Sequence, residues 1–219
     1  MSESSSDVNQ GSRSNNGPII IFFIVVCVLY IMATTPKGTS PKPATVKPQA
    51  QAAQSGSYTV TGPPSISAPF INTILCTWHS PTCGKGQTLY NLGIKYGIDP
   101  AYALAFFMNE STFGTAGMAR ITLGLGNERC IDDRPCVNGQ GDPCQAGQSC
   151  YAQFESWEDG FEHWYMLIKN LYIGQWGLTT VPQIIHRYAP NADNNNEAHY
   201  AYVVEHAVDL WRAGKVALQ

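Results

Sequence analysis

The chain has 219 residues, 44% of them hydrophobic, and a formal net charge of -3, enough apolar material for one core with room for additional segments. The charge is unevenly placed: no Asp or Glu lies between Asp7 and Asp99, whereas residues 99–219 carry 14 acids against 7 Lys and Arg. An acidic C-terminal domain excludes the basic footprint that a nucleic-acid partner requires, so no nucleic acid is expected.

Residues 1–18 are rich in Ser, Asn and Gly and read as a disordered tail. Residues 19–33 form a continuous apolar run, a membrane-targeting segment that is either a transmembrane anchor or a signal segment. Arg13 ahead of it is offset by Glu3 and Asp7, which favours an anchor, while Lys37, Lys42 and Lys47 behind it oppose export under the positive-inside rule. Residues 34–69 are rich in Pro, Ala, Thr, Ser and Gln without apolar periodicity and read as a linker. The folded domain is expected over 70–219.

Within that domain, Leu89, Leu92 and Tyr96 fall on one side of a helix that stops at Gly97. Asp99 and Pro100 then form a helix start, an acceptor for a free backbone N–H followed by a residue harmless at the first position. Ala103, Phe106, Phe107 and Glu110 recur three or four apart, so Glu110 closes an apolar face near the helix end. The negative end of the helix dipole and the neighbouring Phe106, Phe107 and Phe113 both disfavour an ionised carboxylate. A carboxyl held protonated near neutral pH can serve as a general acid. The plain alternative is a solvated glutamate at a helix end.

Residues 117–126 are Gly rich and suit a cleft wall. Cys130, Cys136, Cys144 and Cys150 follow among Gly, Pro and Asp residues, a composition that no regular helix survives. Together with Cys76 and Cys83 they form an even set outside the apolar run, which holds Cys27. No spacing is C-x-x-C, so disulfides are favoured over a zinc site, Cys76 with Cys83 and the other four among themselves in an order the sequence leaves open. Disulfides place the domain outside the cytoplasm. Asp132, Asp133, Asn138 and Asp142 do not follow the calcium-loop pattern, and His199 and His206 lack a zinc-helix spacing, so no metal and no cofactor are expected.

Ser156 with Asp159 starts a helix whose stripe is Trp157, Phe161, Trp164, Ile168 and Leu171. Thr180, Val181 and Pro182 open a short helix ending at Tyr188, and residues 197–213 form the last helix, with Tyr200, Val203, Val204, Ala207, Val208 and Trp211 as its core stripe.

Three of these stretches together resemble one family. Glu110-Ser111-Thr112-Phe113-Gly114 resembles the Glu-Ser-x-x-Gly signature of the glucosaminidase family, peptidoglycan-cleaving endo-β-N-acetylglucosaminidases. Ser156-Trp157-Glu158-Asp159-Gly160-Phe161 is similar to its segment after a β-hairpin, and Tyr188-Ala189-Pro190 with Asp193 and Asn194 is similar to its Tyr-Ala motif. The resemblance spans residues 85–212 in the family's order. It implies a mainly α (α+β) fold, a lysozyme-like helical domain with a small disulfide-stapled β-hairpin or loop lobe. It also implies hydrolysis of β-1,4 bonds in peptidoglycan or a related N-acetylglucosamine-containing glycan, with Glu110 as general acid. The family's second acid lies in the lobe, which makes Asp132 and Asp133 candidates by position, with Glu128 and Glu155 kept open. Tyr188 becomes a catalytic candidate at a helix-to-loop corner, and Phe113, Asn127, Tyr151 and Trp157 become candidates to bind sugar. The cysteine-rich stretch departs from the family's pattern. Two rival expectations are a lytic transglycosylase, which shares the single Glu, and a glycan-binding module without activity.

Overall fold

The computed structural model describes residues 58–217. The expected tail, the apolar run of residues 19–33 and the first part of the expected linker lie outside them. Among the described residues no helix is long and apolar enough to cross a membrane. They form a mainly helical domain with a small disulfide-stapled lobe.

The helices are α1 (Ala68–Thr77), α2 (Gly86–Tyr96), α3 (Pro100–Ser111), α4 (Ala119–Thr122), α5 (Trp157–Leu167), α6 (Val181–Tyr188) and α7 (Glu197–Arg212). At the centre is α3, started as the sequence suggests: the Asp99 side chain accepts from Ala101 N at 3.1 Å and Pro100 takes the first position. Every residue from 100 to 108 is buried, as befits a helix that is apolar all round and must be covered on all sides. One cover is α7, which buries Tyr200, Val204, Ala207, Val208 and Trp211. The others are aromatic. Phe106 meets Trp164, Tyr188 and Tyr200 with ring centroids 5.4 to 5.6 Å apart, and Phe107 meets Phe161 and Trp164. Each such ring removed from water contributes roughly 1.5–3 kcal/mol before chain entropy is counted.

The expected linker boundary at residue 69 moves. Residues 58–66 are a strap built into the domain: Val60 is 1% exposed, its N–H donates to Thr179 O at 2.9 Å, and its carbonyl accepts from Asp99 N at 3.0 Å. Asp99 also accepts from Ser65 N and pairs with Arg212 at 2.9 Å, so one buried carboxylate joins the strap, the start of α3 and the end of α7. Isolated pairing and a few well-placed apolar residues, with no periodicity, hold this strap. The Pro-rich composition concealed it.

The lobe spans the chain between α4 and α5. Its two short strands, β1 (Cys136–Val137) and β2 (Tyr151–Ala152), pair antiparallel with Cys136 opposite Ala152. Disulfides join Cys130 to Cys136 and Cys144 to Cys150, and Cys76 to Cys83 in the helical part. Between the strands the Asn138 side chain accepts from Gln140 N and Asp142 N, so its oxygen serves a turn. At the start of α5 Ser156 accepts from Asp159 N, and the Asp159 carboxylate accepts from Glu155 N, one residue ahead of the cap. Beyond α5 the chain continues as a π-helical segment, Ile168–Gln175.

Candidate active site

A short run of backbone makes the Glu110 motif a structural device. After α3 ends, Thr112, Phe113 and Gly114 all adopt positive φ, and Ser111 holds this turn. Its hydroxyl donates to Leu125 O at 2.9 Å and accepts from Gly114 N at 3.0 Å. A Cβ on Gly114 would lie 2.8 Å from the Leu125 side chain, so only glycine permits this turn without a shift. The Ser and Gly of the motif therefore place residue 110 and the segment from Leu125 onward side by side. Asn127 completes the junction by donating from Nδ2 to the Glu110 backbone carbonyl at 2.6 Å, one of the orphan acceptors at a helix C-terminus.

Glu110 opens into a cavity of about 440 Å³ whose wall includes Asn127, Glu128, Arg129, Tyr151, Tyr172, Arg187, Tyr188 and Asp193. Burial pushes the Glu110 carboxyl above its ordinary pKa. Donation from the Tyr200 hydroxyl at 2.6 Å, a bond from Asn127 and the more distant Arg129 charge oppose that shift without cancelling it. The hydrogen-bond donors that reach the carboxyl are neutral side chains, and the net shift is upward, toward the protonated form.

A second carboxyl lines the same cavity. Glu128 is 5% exposed, its Oε2 lies 2.7 Å from His163 Nδ1, and its Oε1 is buried without a partner. Burial raises its pKa, with the His163 contact and the Arg134 charge acting against that. Asn127 Oδ1 is likewise buried and unpartnered. Because Asn127 must present its NH2 to the Glu110 carbonyl, the oxygen is the atom left over. Asn127 and Glu128 both line the cavity, and each keeps one side-chain oxygen buried without a partner, an unusual expense for a stable fold.

Several sequence candidates fall into place and others do not. Glu110, Asn127, Tyr151 and Tyr188 line the cavity. Tyr151 already carries Arg129 over its ring, 4.8 Å from the centroid. Tyr188 donates to Gly126 O and accepts from Trp164 Nε1 at 3.2 Å, so its proton is committed to the backbone just before Asn127. A Cβ on Gly126 would meet Trp164 at 2.5 Å and Tyr188 at 2.8 Å, which shows how closely that backbone is held. Tyr188 thus supports the wall rather than facing a reacting atom. Asp132 and Asp133 are exposed and do not line this cavity. Asp133 opens onto a separate pocket with Arg134, Phe154 and Glu155, and Glu155 is exposed there. Their nearness in sequence to the lobe did not bring them to Glu110, because the chain lines the cavity only as far as Ile131 before it turns outward. Phe113 is 0% exposed, packed against Trp78 and Trp211. Trp157 packs on the core beside Gly114. Neither reaches the cavity, for both are needed to fill the space beneath the strained turn.

Tyr200, His163, Tyr172 and Arg187 were not singled out as site residues. Tyr200 was legible only as a core residue, since its stripe position conceals that its hydroxyl reaches Glu110. The four lobe cysteines bring their Sγ atoms within 4.8 Å of one another, and as disulfides they are not thiolate ligands.

No family model matches the chain, and no curated protein matches it in sequence. Among solved structures it is similar to a catalytic mutant of Staphylococcus aureus autolysin E in complex with the disaccharide NAG-NAM, at 15% identity and a TM-score of 0.46 over 71% of this chain and 73% of that one. A likeness this distant says nothing of what this chain does, and the chemistry of the cavity has to be read from its own residues.

Proposed function

We propose that the chain is a cell-wall glycosidase that hydrolyses β-1,4 bonds in peptidoglycan or a related N-acetylglucosamine-containing glycan, with Glu110 as general acid. The observation that carries this reading is the Glu110 carboxyl itself. It is desolvated, held by Tyr200 and shifted toward its protonated form, and it faces an open cavity. Such a group can give its proton to the leaving glycosidic oxygen, which is worth about 100- to 10,000-fold in rate. The substrate class comes from the resemblance of three motifs to the glucosaminidase family. The three disulfides fit an oxidising location outside the cytoplasm. Hydrolysis by a general acid and a second carboxyl or the substrate's own acetamido group calls for no metal or organic cofactor.

Mass spectrometry of purified peptidoglycan digested by the protein tests the reading. New reducing ends on N-acetylglucosamine are expected. Anhydro ends would indicate a transglycosylase, and undigested glycan that retains the protein would indicate a binding module.

A further inference from the structure

Two arginines line the Glu110 cavity, and no acid of the protein holds either of them. Arg129 follows Glu128 in the lobe, and Arg187 lies in the last turn of α6. Among the described residues neither makes an ion pair, whereas Arg134 pairs with Asp133 and Asp159, and Arg212 with Asp99. The acids on the same wall do not fill that gap. Glu110 accepts from Tyr200, Glu128 contacts His163, and Asp193 pairs with neither arginine. Each guanidinium rests instead on an aromatic ring, Arg129 over Tyr151 and Arg187 over Trp176, at 4.8 and 5.5 Å from the centroids. Trp176 is braced in turn by Tyr172, whose ring centroid lies 5.0 Å away. Stacking of this kind holds the plane of the fork, and both arginines are exposed.

This placement runs against the charge of the domain. Residues 99–219 carry 14 acids and 7 bases, so the domain as a whole repels an acidic polymer, yet two of the seven bases stand at this one cavity. Tuning of Glu110 does not account for the pair. The Arg129 charge is the least of the influences on that carboxyl, and Arg187 is not among them. A planar guanidinium fork matches a carboxylate with two parallel hydrogen bonds, a geometry that uncharged sugar hydroxyls do not supply.

Resting on the glycosidase reading, we propose that Arg129 and Arg187 make the cavity selective for glycans whose sugars bear carboxylates, each guanidinium gripping an acidic side group of the strand held at Glu110. Two sources in a peptidoglycan strand supply that chemistry: the lactyl ether on alternate sugars where its acid is free, and the peptide attached through it. An N-acetylglucosamine oligomer has neither. Binding through the fork adds to affinity without touching the bond that breaks, so the two arginines set which glycan enters rather than how fast it is cut.

The test measures binding by calorimetry to the full chain carrying Glu110→Gln, which removes turnover. The probes are a neutral N-acetylglucosamine oligomer, a peptide-free peptidoglycan fragment of the same length with free lactyl acids, and that fragment with its peptides. An acidic fragment should bind at least about tenfold more tightly than the neutral one, and Arg129→Gln or Arg187→Gln should each weaken that binding by about tenfold while leaving the neutral oligomer unchanged. Preference for the peptide-free fragment assigns the grip to the lactyl acid, and preference for the other assigns it to peptide carboxylates. Sodium chloride at about 1 M, where the screening length is roughly 3 Å, should erase the preference. Equal affinity for neutral and acidic fragments, or arginine variants that weaken both alike, would overturn the proposal. Reducing-end release by the wild-type chain, run in parallel, judges the glycosidase reading separately. Release without acid preference leaves that reading standing and sinks this one, and acid-selective binding without release does the reverse.

Discussion

At Glu110 two opposing effects meet, burial raising the pKa and the Tyr200 hydroxyl lowering it by donating to the ionised form. Removing that donor tips the balance further toward the proton. Tyr200→Phe should therefore shift the alkaline limb of the pH-rate profile to higher pH, since activity is lost only as pH rises through the Glu110 pKa. A limb that moves down, or stays, would mean that Tyr200 is not the donor that matters. The raised Glu110 was legible in the sequence, because its cause is local: the apolar neighbours stand three and four residues away on the same helix. Tyr200 was not, since it reaches Glu110 from 90 residues further along the chain. His163, which meets Glu128 from 35 residues further along, was hidden for the same reason, whereas Glu128 was kept open as a candidate. Position near the lobe pointed to Asp132 and Asp133 instead, yet only the fold decides which lobe acid turns inward.

At the scale of elements, the helices with clear ends were readable. Asp99 and Pro100 began α3, Gly97 at φ 66° ended α2, and Ser156 capped α5. The lobe was readable only as a region, because two strands of two residues leave no alternation to detect. Its order comes from two loop-closing disulfides and the Asn138 turn, and closing loops of this kind typically stabilises by roughly 2–4 kcal/mol each. Mild reduction should therefore release the lobe first. Hydrogen exchange should speed up at the backbone amides of Asn138, Cys144, Ala152 and Gln153, which donate within the lobe, while α3 keeps its protection. Loss of α3 protection at the same reductant concentration would show that the lobe and the helical part unfold as one unit.

For the molecule as a whole, the strap of residues 58–66 matters more than its composition suggested. It covers α3 through Val60 and ties Tyr58 to α7, where the Tyr58 hydroxyl donates to Asp209 Oδ2 at 2.7 Å. Val181 N also donates to Tyr58 O at 2.9 Å. A chain beginning at residue 58 should melt close to the full-length protein. One beginning at residue 70 loses these bonds and leaves the buried Asp99 without Ser65. Several contacts worth about 0.5–1.5 kcal/mol each are removed with it, so its midpoint should fall by several degrees in a thermal melt. Equal midpoints would return residues 58–69 to the linker.

The central claim is that the proton of Glu110 breaks the glycan, and the rate of reducing-end release from purified peptidoglycan by Glu110→Gln tests it most directly. The amide keeps the shape of the side chain and can still accept from Tyr200, but it cannot protonate the leaving oxygen. The expected result is a fall of about 100- to 10,000-fold in rate with an unchanged melting temperature and undiminished sedimentation with the glycan. A Glu110→Gln protein that cleaves at the wild-type rate would contradict the account.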